Sequence, residues 1–276
     1  MNAQSVLLPA IQDLKVAGVQ DPAKDARLLL AHSLGVEIGR LTLHLNDDIK
    51  ELDAEQFQRL VRLRIQRQPV SQILGRRIFY GREFKVTPDV LDPRPETETL
   101  VEQALSVDFG DVLDVGTGSG CLLLTLLAER PSAKGAGVDI SDAALRVAKD
   151  NVASLQLDKK AQLLRSDWFS NVDGKFDLIV SNPPYIDEDE WLTLEPEPRV
   201  WEPKIALTPG PDGLMPYRIL ADGSARYLND GGWLMVEIGW QQGDAVKMVF
   251  EHAGWRNVEI KTDMGGCDRV VRGQKP

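Results

Sequence analysis

The sequence predicts an α/β protein in which an open sheet carries helices on both faces, preceded by a small all-α bundle and a β-hairpin. Two observations support this fold class. From about residue 111, the sequence contains several apolar runs suited to buried strands. Glycine or polar residues stand at the end of each run. Residues 1–67, by contrast, lack strand-like alternation. A length of 276 residues suits one large domain and one smaller domain.

Residues 1–70 are predicted to form the helical bundle. In the first helix, leucine and isoleucine recur at helical spacing, at Leu7, Leu8, Ile11 and Leu14. Asp21 and Pro22 are typical of a helix start, because proline is tolerated in the first turn and an aspartate caps it. Pro69 is expected to end the bundle.

Residues 71–90 are predicted to form a β-hairpin that links the two domains, with Tyr80-Gly81 at its turn. The larger domain then spans residues 91–276. We expect it to begin with a helix that is capped at or near Thr97 and runs through Val101 and Leu105.

A glycine-rich turn follows the first apolar strand of this domain. Residues 112–115 lead into Gly116-Thr117-Gly118-Ser119-Gly120, and a helical pattern begins at Cys121. Glycines let the backbone approach a ligand, and the amides at a helix start point outward. The spacing is G-x-G-x-G, because Cys121 stands where a dinucleotide fingerprint has its third glycine.

Asp114 precedes this turn and helps to choose between cofactors. An acidic side chain disfavours a pyrophosphate and favours a cationic ligand. S-adenosylmethionine, with its ammonium and sulfonium charges, fits better than NAD. The predicted cofactor-binding residues here are Asp114, Gly116, Thr117, Gly118, Ser119 and Gly120.

Two further strand ends are predicted to complete the cofactor site. Asp139 ends the strand 135–139, about 20 residues beyond the glycines, where a carboxylate can accept both ribose hydroxyls. The alternative is that Asp139 caps the next helix, although Ser141 is also suited to that role. After the strand 161–164, Asp167 is placed to accept from the adenine amine and Trp168 to pack on the ring. A core aromatic is the alternative for Trp168.

The fourth strand, residues 176–180, runs directly into Asn182-Pro183-Pro184-Tyr185. The prolines stiffen the turn and leave carbonyl groups free to accept, and Asn182 adds a side-chain carbonyl. This arrangement predicts a rigid pocket for a planar group that bears an NH2. Asn182 and the Pro183 carbonyl would accept its hydrogens, and Tyr185 would pack against its plane. The alternative is a proline-rich turn with a capping asparagine.

The composition narrows the possible functions. A net charge of −10 and a pI of about 4.9 argue against tight binding to duplex DNA, which normally requires a basic face, and permit docking to a basic protein. The two cysteines are far apart in the sequence, so no metal site is expected. The first residues carry neither a basic region nor an apolar stretch typical of a signal peptide, which predicts a cytoplasmic protein.

These motifs resemble those of S-adenosylmethionine-dependent methyltransferases in which N-P-P-Y receives a planar nitrogen. Several segments are similar to the PrmC/HemK family, the glutamine methyltransferases of peptide chain release factors. Residues 68–75 are similar to its E-P-x-x-Y-I-x-G stretch, and residues 79–98 to its F-x-G-x-x-F and P-R-P-E-T-E linker. Residues 202–214 and 268–270 match its E-P-x-x-A-L, D-G-L and D-R segments. Gln68 and Gln72 depart from the usual Glu and Tyr.

The resemblance implies a Rossmann-like, seven-stranded methyltransferase sheet and transfer of a methyl group from S-adenosylmethionine, leaving S-adenosylhomocysteine. The acceptor would be the side-chain nitrogen (N5) of the glutamine in the Gly-Gly-Gln motif of class 1 peptide chain release factors, which tunes translation termination. The helical domain and linker would dock the release factor, and a monomer is expected. The residues implied in catalysis or substrate binding are Asn182, Pro183, Pro184, Tyr185, Arg94, Thr97 and Glu98, and Asn182 is also expected to contact the cofactor.

Two other functions remain open at this point. An adenine-N6 nucleic-acid methyltransferase shares the N-P-P-Y turn, although the acidic charge argues against it. A non-catalytic cofactor-binding or scaffold protein is the third hypothesis, and the intact Asn182 and glycine turn argue against that. The acidic, proline-rich segment 187–199 is either part of the substrate entrance or a solvated connection.

Overall fold

The computed structural model describes residues 1–276, which divide into two compact units: residues 1–76 with Pro196–Trp201, and residues 77–195 with 202–276. The first unit is helical. In chain order its first elements are α1 (Ala3–Val16), α2 (Pro22–Leu34), the 3-10 helix Ile38–His44, α3 (Glu51–Ile65) and α4 (Val70–Leu74).

The helical unit has its own apolar core, built from one face of each helix. Leu7 and Leu14 of α1 are buried in it, together with Phe57 of α3. Leu8 is 58% exposed, so it lies outside the buried face of α1. Helix α2 begins at the predicted position, with Asp21 at the N-cap position and Pro22 in the first turn, but the Asp21 side chain makes no capping hydrogen bond.

The hairpin is shorter than the predicted span of residues 71–90. Residues 70–74 form helix α4, which Gly75 ends in a left-handed conformation with φ of 71°. The hairpin itself consists of β1 (Arg76–Phe79) and β2 (Arg82–Lys85). Tyr80 and Gly81 form its turn, both with positive φ (48° and 73°), as a two-residue hairpin turn of the primed type requires.

The second unit contains a seven-stranded sheet. Its strands are β3 (Asp111–Val115), β4 (Lys134–Asp139), β5 (Ala161–Arg165), β6 (Phe176–Ser181), β7 (Leu228–Glu237), β8 (Arg256–Thr262) and β9 (Asp268–Gln274). The remaining α-helices of the chain are α5 (Glu98–Leu105), α6 (Cys121–Glu129), α7 (Asp142–Ser154), α8 (Glu188–Thr193), α9 (Pro196–Trp201), α10 (Met215–Ser224) and α11 (Gly243–His252), and two further 3-10 helices span Pro95–Thr97 and Lys204–Ala206.

The strand order in the sheet is β5-β4-β3-β6-β7-β9-β8. The first five strands in that order run parallel, and β9 and β8 complete the edge in antiparallel pairs. This Rossmann-like, seven-stranded sheet confirms the predicted fold class. The chain adds β4 and β5 on one side of β3 and then returns to place β6 on the other side. The carboxyl ends of β3 and β6 therefore lie beside each other at a topological switch point, where the strand order reverses.

Helices cover both faces of the sheet, so the central strands are buried on both sides and their sequences are almost continuously apolar. In β6, Leu178 and Val180 pack with α5 and α6, whereas Ile179 packs on the opposite face with α10 and α11. None of the helices in the chain combines the length and the apolar composition that a membrane span requires.

Segment 187–199, which was predicted as part of the substrate entrance or as a solvated connection, contains helix α8 and most of helix α9. Asp187 caps α8, its Oδ1 accepting from the amide of Glu190 at 2.8 Å. The following helix α9 belongs to the helical unit, although it comes more than a hundred residues later in the sequence. The chain therefore leaves the second unit after Glu195 and returns to it at Glu202.

Candidate functional site

A cavity of about 330 Å³ lies in the second unit, at the carboxyl ends of the parallel strands. This is where open α/β sheets bind ligands. Most of the residues predicted to form the site line this cavity: Arg94, Thr97, Asp114, Gly116, Thr117, Gly118, Ser119, Asp139, Asp167, Trp168, Asn182, Pro183 and Pro184. Gly120, Tyr185 and Glu98 do not line it.

The glycine turn forms one wall of the cavity. The amides of Gly116 and Thr117 both donate to the carbonyl of Val138 on the neighbouring strand, at 2.8 and 2.9 Å. Gly116 and Gly118 have positive φ (76° and 55°), and a Cβ added at either would meet nothing within 4 Å. The turn therefore presents bare backbone to the cavity. Gly120 is different, because its Cβ would lie 3.2 Å from Leu124 inside the core.

Asp139 is fixed at the end of β4 by backbone amides. Its Oδ2 accepts from Gly118 and its Oδ1 from Ser141, both at 2.9 Å. The cap of α7 is Ser141, whose hydroxyl accepts from the amide of Ala144 at 3.2 Å. Asp139 is thus not the helix cap. Each carboxylate oxygen has lone pairs left for a ligand hydroxyl.

Asp114 lies beneath the glycine turn and is 1% exposed. Its Oδ2 accepts from the Thr117 hydroxyl at 2.7 Å. Burial raises the pKa of Asp114 to about 7, against the opposing effect of the Thr117 hydrogen bond. A cation in the cavity would favour the charged form of this carboxyl, so the site suits a positively charged ligand.

Asp167 and Trp168 line the cavity after β5. Asp167 is exposed, so its carboxylate is available to a ligand amine. Trp168 is half-buried and packs against the apolar core on one face of the sheet while it also lines the cavity. It has a φ of 50°, a left-handed conformation that is uncommon for a bulky residue.

Asn182 follows β6, and its side chain is hydrogen bonded to Thr97 at the start of α5. Its Nδ2 donates to the Thr97 hydroxyl at 3.1 Å, and its Oδ1 is buried without a hydrogen-bond partner. The preceding Ser181 donates to the carbonyl of Val115 at 2.7 Å, which fixes the end of β6 against β3. A buried acceptor without a partner is unfavourable, so Asn182 Oδ1 is suited to accept from a ligand NH2.

Tyr185 lies outside the cavity wall. It packs in the apolar cluster beneath α10 and α11, and its carbonyl accepts from Nε2 of Gln242 at 3.0 Å. Burial raises the pKa of its phenol above the ordinary value, so the phenol stays neutral. Tyr185 therefore packs against the core and not on the cavity wall, where it was predicted to pack against the plane of the bound group.

The linker residues separate into two groups. Arg94 lines the cavity and donates to both oxygens of Glu202, at 2.7 and 2.8 Å. Glu98 instead accepts from the amide of Tyr80 at 2.7 Å, which ties the hairpin turn to α5. Glu98 therefore acts on the hairpin in this structure, away from the cavity.

Sequence reasoning did not assign several residues of the cavity to the site. Some lie beside the predicted residues in the middle of the chain, among them Leu122, Ile140 and Ala144, and others precede Arg94 or follow Glu202, among them Val90, Asp92, Pro203, Ile205, Thr208 and Met215. The E-P-x-x-A-L segment, which resembles the family motif, contributes Pro203, Ile205 and Ala206 to the cavity wall, and nothing in its residue types indicated this position.

Two family models match parts of the chain. The model of the methyltransferase small domain family matches residues 91–194, and that of the PrmC N-terminal domain matches residues 5–75. A release factor glutamine methyltransferase from Cereibacter sphaeroides is 49% identical over 276 residues, covering 100% of this chain and 99% of the relative. One from Caulobacter vibrioides is 45% identical, covering 95% of this chain and 92% of the relative.

Among solved structures, the chain is similar to the crystal structure of a methyltransferase from Pyrococcus furiosus. The TM-score is 0.54 with 17% identity, over 78% of this chain and 97% of the other. At this identity the likeness shows the fold alone.

Proposed function

The chain belongs to the release factor glutamine methyltransferase family, and from that membership we propose that it methylates the side-chain nitrogen (N5) of a glutamine in class 1 peptide chain release factors. The acceptor is the glutamine of their Gly-Gly-Gln motif, so the reaction tunes translation termination. The observation that carries this proposal is the buried, unpartnered Oδ1 of Asn182 on the cavity wall. It is an acceptor placed for an amide NH2.

The residues of the cavity fit S-adenosylmethionine, the cofactor of this family. The bare backbone of Gly116 and Gly118 allows close approach, and Asp114 suits the cationic end. Asp139 would accept from the ribose hydroxyls, and Asp167 from the adenine amine. When bound, the cofactor supplies a methyl group on a positively charged sulfur, leaving S-adenosylhomocysteine.

The protein's own residues must activate a poor nucleophile, because the lone pair of an amide nitrogen is delocalised into its carbonyl. Asn182 Oδ1 and the Pro183 carbonyl would accept the two amide hydrogens. This holds the nitrogen in line and stabilises the positive charge that develops on it as the N–C bond forms and the S–C bond breaks. One amide proton then leaves to water.

The remaining residues have supporting roles in this proposal. Pro184 would border the bound amide, and Tyr185 would hold the turn. Arg94 and Thr97 would line the part of the cavity that holds the substrate glutamine. The helical unit would dock the release factor, an assignment supported by the family match over residues 5–75. The acidic charge supports a basic protein partner rather than DNA. We further propose that the protein is monomeric and works in the cytoplasm, where release factors act.

The experiment is to incubate the purified protein with methyl-labelled S-adenosylmethionine and a class 1 release factor. The matched control is the same factor with the Gly-Gly-Gln glutamine changed to alanine. Label on the unaltered factor alone is the expected result. Label that enters DNA or RNA instead would indicate an adenine methyltransferase. Failure to bind the cofactor by calorimetry would indicate a non-catalytic protein.

Replacing Asp139 with alanine is expected to weaken cofactor binding by roughly tenfold to a hundredfold, since hydrogen bonds to a charged group contribute about 1.5–3 kcal/mol. Asp139→Asn is the matched control, because it retains one acceptor oxygen and should lose less. Isothermal titration calorimetry with S-adenosylmethionine measures both. Unchanged affinity in the alanine variant would remove Asp139 from the cofactor site.

Cofactor affinity is also expected to depend on pH through Asp114. Its pKa is raised to about 7 by burial, so the carboxyl is largely neutral at pH 6 and a cation must displace its proton. Affinity should therefore rise between about pH 5.5 and 7.5, below the range where an α-amine loses its own proton. Calorimetry in two buffers should detect proton release near pH 6. Asp114→Asn should flatten the profile, and a profile that is equally steep in this variant would contradict the assignment.

A further inference from the structure

A fully buried asparagine, Asn151, lies in the second half of helix α7, with 0% of its surface exposed. Asparagine is a poor residue for a helix interior, because its side chain competes for backbone hydrogen bonds, and an apolar side chain suits a buried position better. Burial of a side-chain amide is unfavourable unless its hydrogen bonds are made. The groups that Asn151 binds must therefore account for its presence.

Three hydrogen bonds fix the amide of Asn151. Its Oδ1 accepts from the backbone amide of Lys85 at 2.7 Å. Its Nδ2 donates to the carbonyl of Lys85 at 3.1 Å and to the carbonyl of Ser119 at 2.8 Å. A rotation of the amide by 180° would place its oxygen against two carbonyl groups, so only one orientation satisfies all three partners. The side chain thus joins Lys85 to Ser119, which are separated by more than thirty residues in the chain.

Ser119 belongs to the glycine turn, on the cofactor side of the cavity. Together with Gly116, Thr117 and Gly118 it lines the cavity, and it is 3% exposed. Its carbonyl lies just before α6 begins. The bond from Asn151 therefore holds the end of the turn, in addition to the bonds that hold Gly116 and Thr117 to β4.

Lys85 is the last residue of β2 and leads into another part of the cavity wall. The next residue, Val86, is buried in a small apolar cluster with Val90 of the same segment and with Ala144 and Val147 of α7. Residues 89–94 then all line the cavity. The backbone of Lys85 is thus a fixed point at the start of this segment, and Asn151 holds it by both its amide and its carbonyl.

We propose that Asn151 is a positioning residue for methyl transfer. By binding Ser119 and Lys85 together, it holds the glycine turn and residues 89–94 in the arrangement that S-adenosylmethionine and the substrate glutamine require. Binding of the cofactor at the turn should then also stabilise the end of β2. The part that concerns the substrate rests on the proposed function, whereas the link between the cofactor and β2 does not depend on it.

Amide hydrogen exchange on the protein without release factor tests the link directly. Lys85 and Val86 do not line the cavity, so protection of their amides by the cofactor has to pass through other residues. At a cofactor concentration ten times the dissociation constant, their exchange should slow by up to about tenfold, since opening of the link would release the cofactor. In Asn151→Leu, at ten times its own dissociation constant, the cofactor should not slow them.

Two variants separate the hydrogen bonds from packing. Asn151→Leu has a similar volume and removes all three bonds. Asn151→Asp keeps the acceptor for the Lys85 amide but turns an oxygen towards the two carbonyl groups. Both are expected to raise the dissociation constant for S-adenosylmethionine at least about tenfold, as the loss of buried hydrogen bonds would. Calorimetry measures this change.

Val152→Ala is the matched control for a general loss of stability. Val152 is the next residue of α7, is 5% exposed, and packs in the apolar core. The variant should lower the stability of the protein, because it leaves a cavity in that core. Its affinity for the cofactor and the protection of Lys85 and Val86 should stay at the wild-type values.

The release factor provides a second readout. At saturating cofactor, Asn151→Asp should raise the KM for the release factor, although Asn151 itself does not line the cavity. Val152→Ala should keep the wild-type KM. If the wild-type protein methylated no release factor, the proposed function would fail, and calorimetry and hydrogen exchange would still decide the role of Asn151 towards the cofactor.

Two outcomes would overturn the inference. One is a cofactor affinity in Asn151→Asp equal to that of Val152→Ala, which would indicate a role in stability alone. The other is exchange at Lys85 and Val86 that the cofactor leaves unchanged in the wild type, or slows equally in Asn151→Leu. The wild-type measurement requires no variant, so it decides the matter even if both Asn151 variants fail to fold.

Discussion

Asn182→Ala is expected to lower kcat at least a hundredfold, which is the typical loss when a group that stabilises developing charge is removed. Its cofactor affinity should stay within about threefold of the wild-type value. The reason is that Asn182 Oδ1 is the buried acceptor without a protein partner on the cavity wall. The Asp114, Asp139 and glycine contacts would remain, so the cofactor would still bind.

The measurement is the single-turnover rate of methyl transfer to a class 1 release factor, with cofactor affinity determined separately by calorimetry. Asn229→Ala is the matched control. Asn229 is an exposed asparagine at the start of β7, it donates to Asp177 of β6, and neither residue lines the cavity. It should keep the wild-type rate. Turnover by Asn182→Ala at the wild-type rate would mean that the nitrogen is held by other groups.

The glycine turn and the Asn182 turn could be predicted from the sequence because their chemistry is local. Gly116 and Gly118 have positive φ and face open space, as their spacing indicated, and Pro183 directly follows the acceptor that it stiffens. The parallel sheet then brings these turns to one edge without further information, since both follow neighbouring strands.

The position of Tyr185 could not be predicted in the same way. For Tyr185 the sequence indicated an aromatic face at the site, but the space beneath α10 and α11 takes the ring into the core.

The contacts of helix α9 that stabilise the helical unit could not be predicted from the sequence either. Its residues Pro196 to Arg199 were predicted as part of an acidic entrance or a solvated connection. In the structure Glu197 accepts from Arg64 at 2.8 Å and from two nitrogens of Arg67 at 2.7 and 2.6 Å. Trp201 donates from its indole to the carbonyl of Gln66 at 3.2 Å. Long-range charge pairing of this kind leaves no periodic signal in a sequence.

Glu197→Ala is therefore expected to destabilise the helical unit by about 2–3 kcal/mol, below the 3–5 kcal/mol typical of a fully buried pair because Glu197 retains some exposure. The side chains of Arg64 and Glu197 are only 7% and 18% exposed, so the variant leaves a largely buried guanidinium with less compensation. Arg64 keeps its bond to Asp25 at 2.7 Å, which limits the loss.

The same pair predicts how the helical unit responds to acid. Burial alone would raise the pKa of Glu197, but the hydrogen bonds from Arg67 and Arg64 outweigh it and hold the pKa below its usual value. The contribution to stability is thus complete above about pH 4.5, the pKa of an unfolded glutamate, and is lost as the pH falls through the lower folded value.

Urea unfolding of the full chain, monitored by hydrogen exchange of the amides in α1 to α3, measures the stability of this unit separately from that of the sheet. Glu55→Ala is the matched control, because it removes an exposed carboxylate from the same unit and should change stability by no more than about 0.5 kcal/mol. The difference between the two variants should shrink between about pH 5 and pH 3. A loss in Glu197→Ala no larger than in Glu55→Ala would show that the ion pairs of Glu197 with Arg64 and Arg67 contribute no stability.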